Sequence, residues 1–129
     1  MDLRTMTVTN TYAEDLVDES VLQQMIVDTS AEVIPILIDH YVEESKTRIE
    51  AIKQAAQSQD GKVLEFEVHT LGSTSLALGN RALSTLARDI ERQCLEKQTE
   101  LAFTRVDELL ALADDSIEAL ITRKELGFD

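Results

Sequence analysis

Residues 63–78 read VLEFEVHTLGSTSLAL, and the spacing of their apolar positions decides between helix and strand. Leu64, Val68, Leu71, Ser75 and Leu78 recur every three or four residues, the period of a helix that buries one face. Asp60, Gly61 and Lys62 precede the run, and Asp60 is placed to cap it. His69 lies off the apolar stripe. Its neighbours one turn away are Glu65, Phe66, Gly72 and Ser73, with Lys62 and Leu76 beyond them on the same side. Gly72 and Ser73 both weaken a helix interior. Their place one turn after the imidazole predicts a cleared surface at which something docks.

The flanking sequence carries the same period. Asp18 can cap a short helix from about Glu19 to Asp28, with Val21, Leu22, Met25 and Ile26 on one side. Thr29–Ser30–Ala31–Glu32 has the form of a capping box. It predicts the start of a long helix reaching about Gln57, with Pro35 tolerated in the opening turn. Ile34, Leu37, Ile38, Tyr41, Ser45, Ile49, Ile52 and Ala56 form its inward stripe. Gly79 suits a helix end or a close crossing, and Asn80 can cap a helix that turns Leu83, Leu86, Ala87, Ile90 and Cys94 inward. Thr99 then begins a last long helix with Val106, Leu109, Leu110, Ala113, Ile117, Leu120 and Ile121 inward. Short connections force successive helices to pack as antiparallel neighbours. The expected fold is all-α, an antiparallel up-down four-helix bundle with a short extra N-terminal helix. Residues 1–17 are expected to form a flexible tail and 18–126 a single bundle domain.

Composition narrows the function. The chain holds 25 acidic and 12 basic residues, a net charge of −13. Nucleic acid and anionic membrane both demand clustered positive charge, so neither is an expected partner. One cysteine, Cys94, excludes an internal disulfide and fits a reducing compartment. No apolar run has the length of a membrane span, and the first residues, MDLRTMTVTN, lack a signal-peptide core. A cytoplasmic monomer is expected.

Several chemistries lack their residues. His40, His69 and Cys94 do not form a metal-binding spacing, and Glu65 four residues before His69 is too little for one. Ser73 and Ser75 lie near His69, but a regular helix offers no oxyanion-donating turn. Gly72–Ser–Thr–Ser is too short for a phosphate-cradling loop. His40 borders an apolar stripe and reads as an ordinary boundary side chain. Glu43, Glu44, Glu67 and Asp89 read as solvated acids. An exposed imidazole, by contrast, is a nucleophile near neutral pH and can accept a phosphoryl group from a donor held in line. Phe66 and Leu76 would form a hydrophobic rim beside it, and Glu65 is spaced to orient the ring.

The segment FEVHTLGSTSLALGNRALSTLARDIE resembles the phosphorylatable region of histidine-containing phosphotransfer (HPt) domains. That family's motif is His-x-x-Lys-Gly, then five residues and Gly. His69 matches the phosphoacceptor, Leu71 a core residue and Gly79 the final glycine. Leu83, Leu86, Ile90 and Glu91 look like the family's next helix, and LIDHYVEESKTRIEAIKQAAQSQD like the preceding helix and turn. The motif's lysine falls on Gly72 and its first glycine on Ser73. Gly72 therefore brings no cation to the phosphoryl oxygens; Lys62, Arg81 and Arg88 are the candidates to replace it.

The resemblance implies a phosphocarrier rather than an enzyme. His69 would relay a phosphoryl group, on its outer ring nitrogen, between aspartates of receiver domains in a multistep two-component system. The partners implied are receivers of response regulators and of a hybrid histidine kinase. The receiver would hold the magnesium, and the chain itself no cofactor. Glu65, Phe66, Gly72, Ser73 and Leu76 form the expected docking surface. Two alternatives remain: a degenerate HPt-like domain, favoured by Gly72, that regulates a receiver or kinase without being phosphorylated; and an unrelated helical adaptor.

Overall fold

The computed structural model describes residues 16–129, so the expected tail falls outside it except for its last two residues. Leu16, one of those two, is buried. Six helices follow: α1 (Glu19–Asp28), α2 (Ile34–Ser58), α3 (Gly61–Ala77), α4 (Arg81–Leu95), α5 (Thr99–Thr104) and α6 (Val106–Glu125). No strand occurs among the described residues. The four long helices close a ring, α3 lying between α2 and α4, with α6 against both α2 and α4. The most extensive contact is between α3 and α4.

The apolar stripes meet at the centre. Leu22, Ile38, Ile52, Leu64, Val68, Leu71, Leu83, Ile90, Leu109 and Leu120 are fully shielded from solvent, each contributing about 1.5–3 kcal/mol by leaving water. Leu78, Leu37, Ala56, Leu110 and Ile121 are only partly buried, and pack against this core from its edge. Asp18 caps α1, its Oδ1 accepting from the Ser20 backbone N–H at 3.0 Å. Asp60 caps α3 by accepting from the Val63 N–H at 3.2 Å.

Several expectations need correction. The capping box does not form: Thr29 ends α1, donating its hydroxyl to the Met25 carbonyl at 2.6 Å, and α2 begins only at Ile34 without a side-chain cap. The last helix is two. Arg105 interrupts it with φ −101° and ψ 0°, and its guanidinium reaches back to Asp89 on α4 and toward Glu108. Glu67 is not a solvated acid either: it is buried, and Arg48 of α2 pairs with it at 3.2 Å while also holding Glu44 at 2.6 Å. Asp89 is likewise engaged, and its hydrogen bonds with Arg105 and Arg92 hold its carboxyl below the usual range.

The turn between α3 and α4 is fixed by two residues. Gly79 adopts φ +86°, where L side chains are strained, and a Cβ there would come within 3.0 Å of the Asp18 carbonyl. The Asp18 N–H donates to the Gly79 carbonyl at 2.8 Å, docking the start of α1 on the turn. Asn80 sits at the cap position of α4 but makes no side-chain cap. It is fully buried instead, accepting from the Tyr41 hydroxyl at 2.7 Å and donating to the carbonyls of Leu16 at 2.7 Å and Ser116 at 3.1 Å. One amide thus joins α2, α6 and the chain before α1. Burial pushes the Tyr41 phenol far above its ordinary value, which keeps it a donor.

Asn80→Ala strands one hydroxyl and two carbonyls, and is expected to cost about 2–4 kcal/mol in urea unfolding. Tyr41→Phe strands only the amide oxygen and should cost about 1 kcal/mol. Equal, small losses would show that water replaces the amide.

Candidate functional site: an exposed histidine held by a carboxylate

Lys62, Phe66, His69, Ser73 and Leu76 are all exposed. Their spacing of four, three, four and three residues places them along one side of α3. The side chain of His69 is 63% exposed at the middle of that stripe. Phe66 is 61% and Leu76 45% exposed, and Val63 is exposed one turn before Phe66. Large apolar side chains flanking a polar centre are the composition of a docking surface. Ser73 turns its hydroxyl back to the His69 carbonyl, at 3.2 Å. Glu65 is half-buried beside this stripe.

The ring's partner comes from the next helix. His69 Nδ1 lies 2.7 Å from Glu91 Oε2, and the Glu91 side chain is four-fifths shielded from solvent. A carboxylate only accepts, so Nδ1 carries the proton and donates it. In the neutral ring the other nitrogen, Nε2, then keeps its lone pair. The expected orienting residue was Glu65; the residue that holds the ring is Glu91. Neither helix alone reveals this pairing, because it depends on the register between them.

That register is antiparallel. His69 faces Glu91, and three residues on, Gly72 faces Arg88 three residues back: a Cβ on Gly72 would meet Arg88 Cγ at 3.1 Å and Ala87 Cβ at 3.7 Å. Gly72 is therefore buried in the α3–α4 seam and not part of the expected docking surface. Its carbonyl also accepts from the buried Ser84 hydroxyl at 2.7 Å. The absence of a side chain serves the helix crossing rather than clearing room for a partner.

The three candidate cations separate. Lys62 is exposed two turns before His69, about 10 Å along the axis. It borders a shallow recess with Glu65, Cys94 and Thr99. Arg81 opens α4 and faces Asp18 at 3.4 Å. Arg88 is exposed one turn from Glu91, on the α4 side that meets Gly72. Among the described residues no cluster of His, Cys, Asp and Glu could hold a metal ion, and no helix is long and apolar enough to cross a membrane.

The family model described as Hpt domain matches residues 36–122, a span that includes α3, α4 and the His69–Glu91 pair. The chain belongs to the Hpt domain family. The fold of this Hpt domain is similar to that of histidine-containing phosphotransfer protein B from Pseudomonas aeruginosa PAO1, with a TM-score of 0.69. The two are 21% identical, and the match covers 81% of this chain and 86% of that one. No curated protein matches the chain in sequence. Family membership assigns the Hpt domain a phosphotransfer role in two-component signalling and replaces the reading as an unrelated helical adaptor. Hpt domains are phosphocarriers that interact with receiver domains and kinases.

Glu91→Ala should move the neutral imidazole of His69 toward the tautomer ratio of free histidine, read from its nitrogen NMR shifts. Glu91→Gln offers an amide carbonyl as acceptor and should keep the Nδ1–H form. An unchanged ratio in Glu91→Ala would mean that another group holds the ring.

Proposed function

We propose that this chain relays a phosphoryl group on His69 between aspartates of receiver domains in a multistep two-component system. The observation that carries the reading is the hydrogen bond from Nδ1 to Glu91, on a ring that is otherwise exposed at mid-helix. In the neutral ring it leaves the lone pair on Nε2, on the side of the imidazole away from Glu91. In the transfer, the Nε2 lone pair forms the N–P bond as the P–O bond to the donor aspartate breaks. The bonding pair of that P–O bond returns to the aspartate as carboxylate. The ring, still carrying its Nδ1 proton, gains positive charge, which the Glu91 carboxylate balances. Reversal passes the group to a second receiver.

The receivers of response regulators and of a hybrid histidine kinase are the partners in this reading, and the receiver brings the magnesium. Phe66 and Leu76 provide apolar contact on either side of His69, and the chain acts as a monomer in the cytoplasm. A receiver surface with basic residues would be steered by the net charge of −13. Gly72 favours a second reading, an Hpt domain that binds a receiver without being phosphorylated, since the motif's lysine position holds no cation.

Labelled phosphoryl transfer from a panel of phosphorylated receivers distinguishes the two. The relay predicts an acid-labile, base-stable label on the protein that is lost in His69→Gln, and weaker receiver binding in Phe66→Ala, by about tenfold if Phe66 is a contact anchor. Saturable binding with no label would establish the second reading in its place.

A further inference from the structure

Arg88 stands apart from the other described arginines. Arg48, Arg81, Arg92, Arg105 and Arg123 each face a carboxylate, on Glu44, Asp18, Asp89, Asp89 and Glu19 respectively. In a chain with twice as many acids as bases, an arginine would be expected to find one. Among the described residues Arg88 has no ion pair, and it is exposed. Its stem is nevertheless placed: Cγ lies against Gly72, 3.1 Å from where a Cβ would stand. Any larger residue at 72 would press on that stem.

The position of this cation relative to the nucleophile follows from the helix register. Gly72 is one turn after His69 on α3, and residues three apart on a helix are about 5–6 Å apart at Cβ. Arg88 is one turn before Glu91 on α4, and Glu91 touches the His69 ring. Beyond Cγ, the arginine still has its Cδ and guanidinium, enough chain to span one helical turn. The acids near the ring, Glu91 and the half-buried Glu65, make the site unfavourable for an added phosphoryl dianion unless a cation attends it. A planar guanidinium offers paired donors to phosphoryl oxygens.

We infer that Arg88 is the phosphoryl-binding residue of this domain, its stem seated on Gly72 and its guanidinium pairing with the oxygens of the group on His69. The glycine and the arginine work as one device: the cation reaches the site from α4 rather than from α3. This rests on His69 being the phosphoacceptor.

The test uses phosphoramidate, a small donor that needs no receiver, with the label on His69 followed by phosphorus NMR and His69→Gln as control. Arg88→Met, which keeps most of the stem without its charge, is expected to slow labelling about tenfold, the loss of one charge-assisted contact. Arg88→Lys should restore most of the rate, and far-UV circular dichroism should be unchanged in both. Gly72→Ala, which displaces the stem but keeps the charge, should fall between. Labelling of Arg88→Met at the rate of the unaltered protein would overturn the role of Arg88 while leaving the relay intact. A slow Arg88→Lys, matching Arg88→Met, would overturn charge pairing in favour of a packing role. No label on the unaltered protein, from phosphoramidate or from any receiver, would overturn both this role and the relay.

Discussion

The closeness of α3 and α4 is the constraint on which the site depends. Gly72 lets the two backbones approach, and the Ser84 hydroxyl bonds directly to its carbonyl. Once that crossing is set, the register is set, and a carboxylate 22 residues away in the sequence becomes a ring partner. Glu91 reaches His69 because residues 72 and 84 hold the helices at the height where 69 and 91 face each other. A slip of one residue along α4 would turn Glu91 away from the imidazole. The tautomer of the His69 ring is in this sense a consequence of core packing.

The rest of the bundle keeps that seam in place. Asn80, at the turn between the two helices, is tied to α2 through Tyr41, to α6 through the Ser116 carbonyl and to the chain before α1 through Leu16. Arg48 and the buried Glu67 join the opposite side of α3 to α2. Breaking either partner of that pair would leave a charge poorly solvated, so both are expected to persist together. The outward side of α3 carries none of these ties. It is free to present Phe66, His69 and Leu76.

Much of this was readable from the chain. The period of three and four placed Leu64, Val68, Leu71 and Ser75 in the core and left His69 outside it, because amphipathic spacing within one helix is a local property. What depended on relations between helices was not readable. Glu91 looked like one acid among many, and Glu65 the better-spaced partner for the ring. Gly72 looked like cleared surface because a missing side chain has the same letter whether it faces a partner or a neighbouring helix. Asn80 had the right residue type and position for a cap, yet tertiary carbonyls claimed its amide. Thr29 to Glu32 had the letters of a capping box, but Thr29 serves the end of α1. Arg105 broke the last helix through a pairing with α4 that no local pattern announces.

In the proposed relay, Glu91 holds the Nδ1 proton and Nε2 of His69 is the nitrogen that takes the phosphoryl group. Correlation of phosphorus with the imidazole nitrogens by NMR, on phosphorylated protein with labelled histidine, tests it directly. The proposed relay places phosphorus on Nε2 of His69. Attachment at Nδ1, or on any other residue, would contradict it.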